Sequence, residues 1–499
     1  MPFNSLDFGL FFLIFYGVYL ILQKQTRLQN VWLLAASYVF YAFWDWRFLF
    51  VLIGITGLNY IIGLSLAVKT SGWISRPPAR RILLAVGLLG NLGTLVFFKY
   101  LDFFKAGLLH LTERLGLPSD LLLVDLILPV GLSFYALQAS SYLLDVHGRR
   151  IQPTRNLLEL ALFIGFFPQL LAGPIERAGR MLPQFHQPRL LTPDTVSTGI
   201  YLLLSGFFKK LVVADNLGVI ANQVFDNYAS YSGVDLLIAG LAFTFQLFAD
   251  FSAYSDIARG LARLMGIELI VNFRLPYFST SPSDFWARWH ISLSEWLRDY
   301  IFFPLRRAFL RAKSRSGRLA GLLAPPLLTM LVSGIWHGTG WNFILWGLYH
   351  GILMVLYQVL VRERPAPGTI AAEMPGQVGV RKWASVLLLG LRTTGRILIM
   401  FTLIWLGWLI FRVETPEQLG YFLTHISLAT SPASVSLWAN LVLFSFPLLV
   451  VQILQQVKGD LWVLARLPVG LRIVLYGAAL ALMVILGVRQ SSEFIYVQF

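Results

Sequence analysis

Twelve apolar runs, each near the length of a membrane span, divide this chain and restrict its fold more tightly than any other feature. They fall near 6–23, 30–45, 48–68, 82–98, 121–146, 195–225, 234–257, 320–338, 341–361, 387–412, 437–456 and 473–488. About twenty helical residues cross the hydrocarbon of a bilayer. No water is available there, so each backbone N–H and C=O must be paired inside its own segment, which a helix does. The expected fold is an all-α polytopic membrane protein with about 12 transmembrane helices. Composition agrees, because only 13% of the 499 residues are charged, against about 25% in a soluble domain. The 15% aromatic content suits a protein whose spans carry interfacial anchors.

The run at 157–175 is different. Pro168, Gly173 and Pro174 interrupt it, and it reads as re-entrant, because broken backbone at membrane depth needs protein or a cavity around it. Leu128-Pro129-Val130-Gly131-Leu132-Ser133-Phe134-Tyr135 puts a second proline-glycine break inside a span, which predicts a kink beside a cavity. No internal repeat and no Gly/Ser linker is evident. Residues 1–499 are read as one membrane domain, with its core motifs in 128–351 and an external tail at 489–499. The Pro/Gly-bearing stretch 362–386 is the flexible loop of this reading.

The net charge of +15 does not indicate nucleic-acid binding. Basic residues fall in five short clusters between apolar runs, such as Lys69/Arg76/Arg80/Arg81 and Arg306/Arg307/Arg311/Lys313/Arg315/Arg318. That is the positive-inside pattern. Twelve crossings with the N-terminus outside place all five clusters in the cytoplasm and both termini outside. The first run lacks the basic flank of a secretory signal and reads as an uncleaved span. The absence of cysteine removes disulfides, thiolate metal sites and a cysteine acyl-enzyme. No metal-ligand set, nucleophile elbow or phosphate loop occurs, so no metal is expected.

Two polar blocks remain. Trp336-His337-Gly338-Thr339-Gly340 ends a greasy run. An ionisable group at that depth is costly, and an imidazole titrates nearest neutrality. A general base and a structural histidine bonded to a neighbouring helix both fit His337. For His350, well inside the next run, the structural reading leads. The second block, 284–300, spaces Phe285, Trp289, Leu293, Trp296 and Tyr300 on one helical face. Asp284 and Arg288 can pair at i, i+4. It reads as an amphipathic helix in the membrane interface, serving as an anchor or shaping an active-site entrance. Asp250 and Asp256 are read near the cytoplasmic end of their span, where ion pairing or solvation accounts for them. The terminal Phe494-Ile495-Tyr496-Val497-Gln498-Phe499 suits an interface anchor, or a tail that turns back into a cavity. A tyrosine hydroxyl there can serve as an acyl carrier.

These blocks resemble the membrane-bound O-acyltransferase (MBOAT) family, in the bacterial branch that includes the alginate O-acetylation membrane subunit. Residues Phe285 to Ser294 resemble its F-W-x-R-W-H-I-S-L-S signature, and Trp296-Leu297-Arg298-Asp299-Tyr300 continues it. Residues Asp250 to Asp256 resemble D-F-S-G-Y-S-D, with Ala253 in place of glycine. Leu171-Ala172-Gly173-Pro174-Ile175 fits as well, and Trp336-His337-Gly338 matches the W-H-G around the family's catalytic histidine.

The resemblance implies a ring of helices around a central tunnel, with re-entrant and interfacial helices and His337 at the narrow point. His290 or Asp284 takes the family's second polar position, and both remain open. Trp336, Arg298, Asp299, Asp250 and Asp256 are the further tunnel or site candidates. The C-terminal motif resembles one in exporting members, which makes Tyr496 an acyl-carrier candidate. The expected activity is O-acetyl transfer from cytoplasmic acetyl-CoA across a bacterial inner membrane. The acceptor is an extracytoplasmic polysaccharide, alginate-like or peptidoglycan, reached through a periplasmic or extracellular SGNH-type acetyltransferase. Arg306 and Arg307 can hold CoA phosphates, although the positive-inside pattern alone explains them. Acyl transfer from a carrier-protein thioester, as in D-alanylation, is the alternative within the same chemistry. A polysaccharide flippase is the alternative outside it.

Overall fold

The computed structural model describes residues 1–67, 77–115, 127–311, 314–361, 380–488 and 494–495. Ten helices among them are long and apolar enough to cross a membrane, and they coincide with ten of the twelve expected runs. The other two runs form helices of another kind. Thr26–Asp45 carries buried Gln29, Asn30 and Ser37 along its inner face. Leu132–His147 is only 16 residues long, and 14 of them are buried. Residues 121–126, Lys69, Arg76, Lys313, Arg362, Arg364, the loop 362–379 and Tyr496 lie outside the described residues.

The helices begin where the local chemistry allows. Ser5, Asn156, Thr192, Ser314 and Thr415 each turn a side-chain oxygen onto the first exposed N–H groups of the following helix. Such a cap satisfies donors that the helix itself cannot. The outward faces stay apolar: Leu6, Val484 and Ile485 are among the most exposed residues, as lipid-facing positions should be. Val234–Leu264 is the opposite case, with 89% of an apolar 18-residue stretch of it buried.

The described residues gather into two compact units. The first comprises Met1–Asn216, Gln246–Val271 and Leu464–Phe499. Phe8, Phe15, Phe40 and Phe167 pack together in its core. The expected interruption after 157 is present: Leu157–Gly165 stops and Phe167–Leu170 follows as a separate turn. Breaking the helix frees the Phe163 carbonyl, which then accepts from the side-chain amides of Gln138 and Gln169. A buried carbonyl needs such a partner. The Leu128–Gly131 break is not a kink within a described helix, because the helix starts at Leu132 with Gly131 at φ +79°. A Cβ at Gly131 would also overlap the Leu170 carbonyl, so position 131 admits only glycine on both counts.

The second unit comprises Leu217–Phe245 and Asn272–Val463. Its centre is an antiparallel hairpin of Arg315–His337 and Trp341–Leu360, joined by Gly338, Thr339 and Gly340. The two backbones touch. A Cβ on Gly334 would overlap the Phe343 carbonyl, and one on Gly347 would lie 2.5 Å from the Met330 oxygen. Small residues permit this close packing, and it fixes the end of the first helix, where His337 sits.

Candidate active site

His337 is the last residue of its helix and only 4% exposed. Gly338 follows in an extended conformation and ends the helix there. Among the described residues, the rings of Trp336 at 4.8 Å, Trp346 at 5.1 Å and Phe411 at 5.4 Å between centroids all pack edge-to-face with the imidazole. Each edge-to-face contact stabilises by roughly 0.5–1.5 kcal/mol. The same rings shield the imidazole, which is buried. Phe411 is held in turn, because Asn342 donates to its carbonyl at 2.8 Å.

The 284–300 block does not form the single continuous helix expected of it. Pro282–Trp286 ends after five residues, and a new helix begins at Ile291. Between them His290 takes a left-handed conformation, φ +42°. That conformation is uncommon for a non-glycine residue. Asn272, distant in sequence, stabilises it. Its backbone oxygen accepts from Ile291 N at 3.0 Å, and its side-chain oxygen accepts from Ser292 N at 3.1 Å and Ser292 Oγ at 2.9 Å. The apolar stripe is real but turned into protein: Phe285, Trp289, Leu293 and Trp296 are all buried.

The break carries His290 to the hairpin. Its ring lies 6.2 Å from Trp336, the same indole that touches His337. The two histidines, far apart in sequence, thus flank one tryptophan. His290 is 1% exposed, and burial pushes its imidazole down to about 3. It is therefore neutral at physiological pH. Asp284, the other candidate for the second polar position, is engaged elsewhere. Arg288 Nε donates to it at 2.6 Å, the pairing expected from their spacing, and Thr280 N at 2.9 Å.

Sequence reasoning missed the supporting shell. Trp346 packs between His337 and His350, whose ring lies 4.9 Å away. Trp408 lies 6.0 Å from Trp346 and 4.7 Å from Trp289. Gly407 makes room for His350, since a Cβ there would sit 2.7 Å from Nε2. Arg298 and Asp299 pair with each other at 3.0 Å on a partly exposed turn. Arg306 and Arg307 are exposed on Phe303–Arg311. Asp250 and Asp256 belong to the first unit, paired with Lys210 at 2.9 Å and Lys209 at 2.7 Å. Asp250 stands mid-helix, not near a helix end, because its helix continues to Leu264.

Neutral burial of His290 has a pH consequence. Between pH 3 and 6.5 the unfolded chain holds this proton more often than the native one, so stability rises with pH there and falls on acidification. Crossing the whole window costs on the order of 5 kcal/mol. His290→Asn keeps a polar side chain that tolerates the left-handed backbone but does not titrate. Its thermal midpoint in detergent should drop less between pH 7 and pH 4 than that of the parent. Equal drops would contradict the assignment.

Comparisons with known proteins identify the family. Residues 122–375 match the model of MBOAT, the membrane-bound O-acyltransferase family. A probable alginate O-acetylase of Pseudomonas putida is 37% identical over 415 residues, covering 83% of this chain and 78% of the relative. A peptidoglycan O-acetyltransferase of Helicobacter pylori is 35% identical over 372 residues, covering 68% and 67%. A teichoic acid D-alanyltransferase of Bacillus subtilis is 32% identical over 237 residues, covering 47% and 60%. Ten candidate spans, the two buried histidines at one tryptophan and these matches converge on a multi-pass membrane O-acyltransferase, and the chain belongs to the membrane-bound O-acyltransferase family.

Proposed function

We propose that the chain takes an acetyl group from acetyl-CoA at the cytoplasmic face of the bacterial inner membrane and exports it, with both termini outside. His337 is the general base. It removes the proton of an incoming hydroxyl, whose oxygen attacks the thioester carbonyl. The tetrahedral intermediate collapses, the carbon–sulfur bond breaks, and the CoA thiolate recovers the proton from the imidazolium. The water-poor ring of Trp336, Trp346 and Phe411 limits hydrolysis of the thioester. His290, neutral at physiological pH, orients the reacting groups as a hydrogen-bonding partner and adds no charge of its own.

The hydroxyl is that of Tyr496. The resulting acetyl-tyrosine ester passes its acyl group to a periplasmic or extracellular SGNH-type transferase, which modifies a polysaccharide or peptidoglycan. Two relatives with O-acetylating names, one acting on alginate and one on peptidoglycan, support acetyl as the cargo. The observation that carries the reading is the burial of His337 at a helix end within an aromatic wall shared with His290.

Similarity to a teichoic acid D-alanyltransferase over 47% of the chain favours one second reading, in which the donor is a carrier-protein thioester. Thiol release separates the two, and the chain contributes no background because it contains no cysteine. Purified protein should release free CoA from acetyl-CoA when an acceptor is supplied. Release of thiol only from an acyl carrier protein would replace the donor in this reading.

A further inference from the structure

Far from the aromatic wall in sequence, the first unit holds three charged side chains that acyl-transfer chemistry at His337 does not use. Lys210 Nζ lies 2.8 Å from Asp215 Oδ1 and 2.9 Å from Asp250 Oδ1. Their side chains are 1%, 3% and 2% exposed. Lys210 stands in a π-helical turn, Lys209–Ala214, set into an otherwise α-helical span. Such turns recur at functional sites, and ionisable groups at membrane depth mark function more often than stability. Lys210 thus bridges two buried carboxylates.

The chain's own C-terminal segment meets this cluster. Asp250 divides its oxygens: Oδ1 accepts from Lys210, and Oδ2 accepts from the backbone N–H of Ile495 at 2.7 Å. The Phe494 ring lies 4.6 Å from Lys210 Nζ, which places the ammonium over its face. The other side of that contact is Tyr254, edge-on to Phe494 at 5.2 Å. Phe494 is 5% exposed. A backbone bond, a cation–π contact and an aromatic edge thus converge on two consecutive residues of the tail, and all three partners are buried. A desolvated ammonium binds an aromatic face more strongly than an exposed one. A backbone N–H on a buried carboxylate is a charge-assisted bond.

We propose that Lys210, Asp215, Asp250 and Tyr254 form a built seat for the C-terminal segment, and that they act as positioning residues fixing where the tail emerges. Tyr496 follows Ile495 directly in sequence, so the seat sets the starting point of the side chain read above as the acyl carrier. This consequence rests on that reading, whereas the seat itself does not.

The cysteine-free chain permits a direct test. Ile495→Cys supplies a single thiol on a seated residue while keeping the backbone bond to Asp250, and its rate of reaction with a membrane-impermeant maleimide reports tail release. Adding Phe494→Leu removes the ring over Lys210 while leaving the core charges in place. It should raise the labelling rate by about tenfold, and Phe494→Tyr should restore the slow rate. The Phe494→Leu protein should keep its elution profile and thermal midpoint, yet lose most acetyl incorporation at Tyr496. Equal labelling rates in the parent and Phe494→Leu would overturn the seat. The two ideas fail separately. Slow labelling in a Tyr496→Phe background with no acetyl adduct in the parent keeps the seat and removes the carrier. Fast, unchanged labelling with an adduct present removes the seat and keeps the carrier.

Discussion

His337→Ala is expected to lower acyl transfer by about a thousandfold, inside the roughly 10²–10⁴ range for a positioned general base. The measurement is the initial rate of thiol release from the donor by purified protein. Loss of the imidazole also deletes its edge contacts with Trp346 and Phe411, which costs roughly 1–3 kcal/mol. His337→Gln separates the two effects, because it fills more of the space but is no base. Both variants should be inactive, and the glutamine variant should be the more stable. An alanine variant retaining a third or more of the parental rate would remove His337 from the chemistry.

Lys210→Met is expected to be the most destabilising substitution in the first unit. It leaves Asp215 and Asp250 buried without their cation. Removing one member of a buried ion pair costs about 3–5 kcal/mol, a large part of a typical stability of about 5–15 kcal/mol. The fraction of monodisperse protein recovered from membranes, and its thermal midpoint, should fall sharply. Neutralising the carboxylates as well, with Asp215→Asn and Asp250→Asn added to Lys210→Met, should recover much of the loss, since no uncompensated charge remains. A single Lys210→Met variant as stable as the parent would show that the three charges are not coupled.

The helical membrane fold was readable because hydropathy over twenty residues is a strong signal. Ten of the twelve expected spans coincide with helices of spanning length and composition. The other two runs, near 30–45 and 121–146, fall on helices that carry polar side chains on a buried face, Gln29, Asn30 and Ser37 in one and Gln138, Ser140 and Ser141 in the other, and window hydropathy does not register which face is buried. At the site, the pattern singled out the blocks that hold His337 and His290. It could not show that they share Trp336, because that meeting depends on the left-handed turn at His290. The helical periodicity of 284–300 is intact, so the sequence reads as one helix. The interruption is stabilised by Asn272, which lies outside the block.

Trp346, Trp408 and Phe411 carried no distinguishing signal, since an indole in an apolar helix reads equally as a lipid-interface anchor. Asp250 was read near a helix end because Asp256, Arg259 and Arg263 look like a polar boundary. The helix continues through them because Asp256 is paired with Lys209 and Arg259. Lys209 and Lys210, inside the run 195–225, were the available signal for the tail seat and were passed over.

Peptide mass spectrometry of the purified protein after incubation with acetyl-CoA tests the central claim most directly, with His337→Ala and Tyr496→Phe alongside. The account predicts an acetyl ester on Tyr496 of the parent that is absent from both variants. Turnover of acetyl-CoA with no adduct at any time, or an undiminished adduct in His337→Ala, would contradict it.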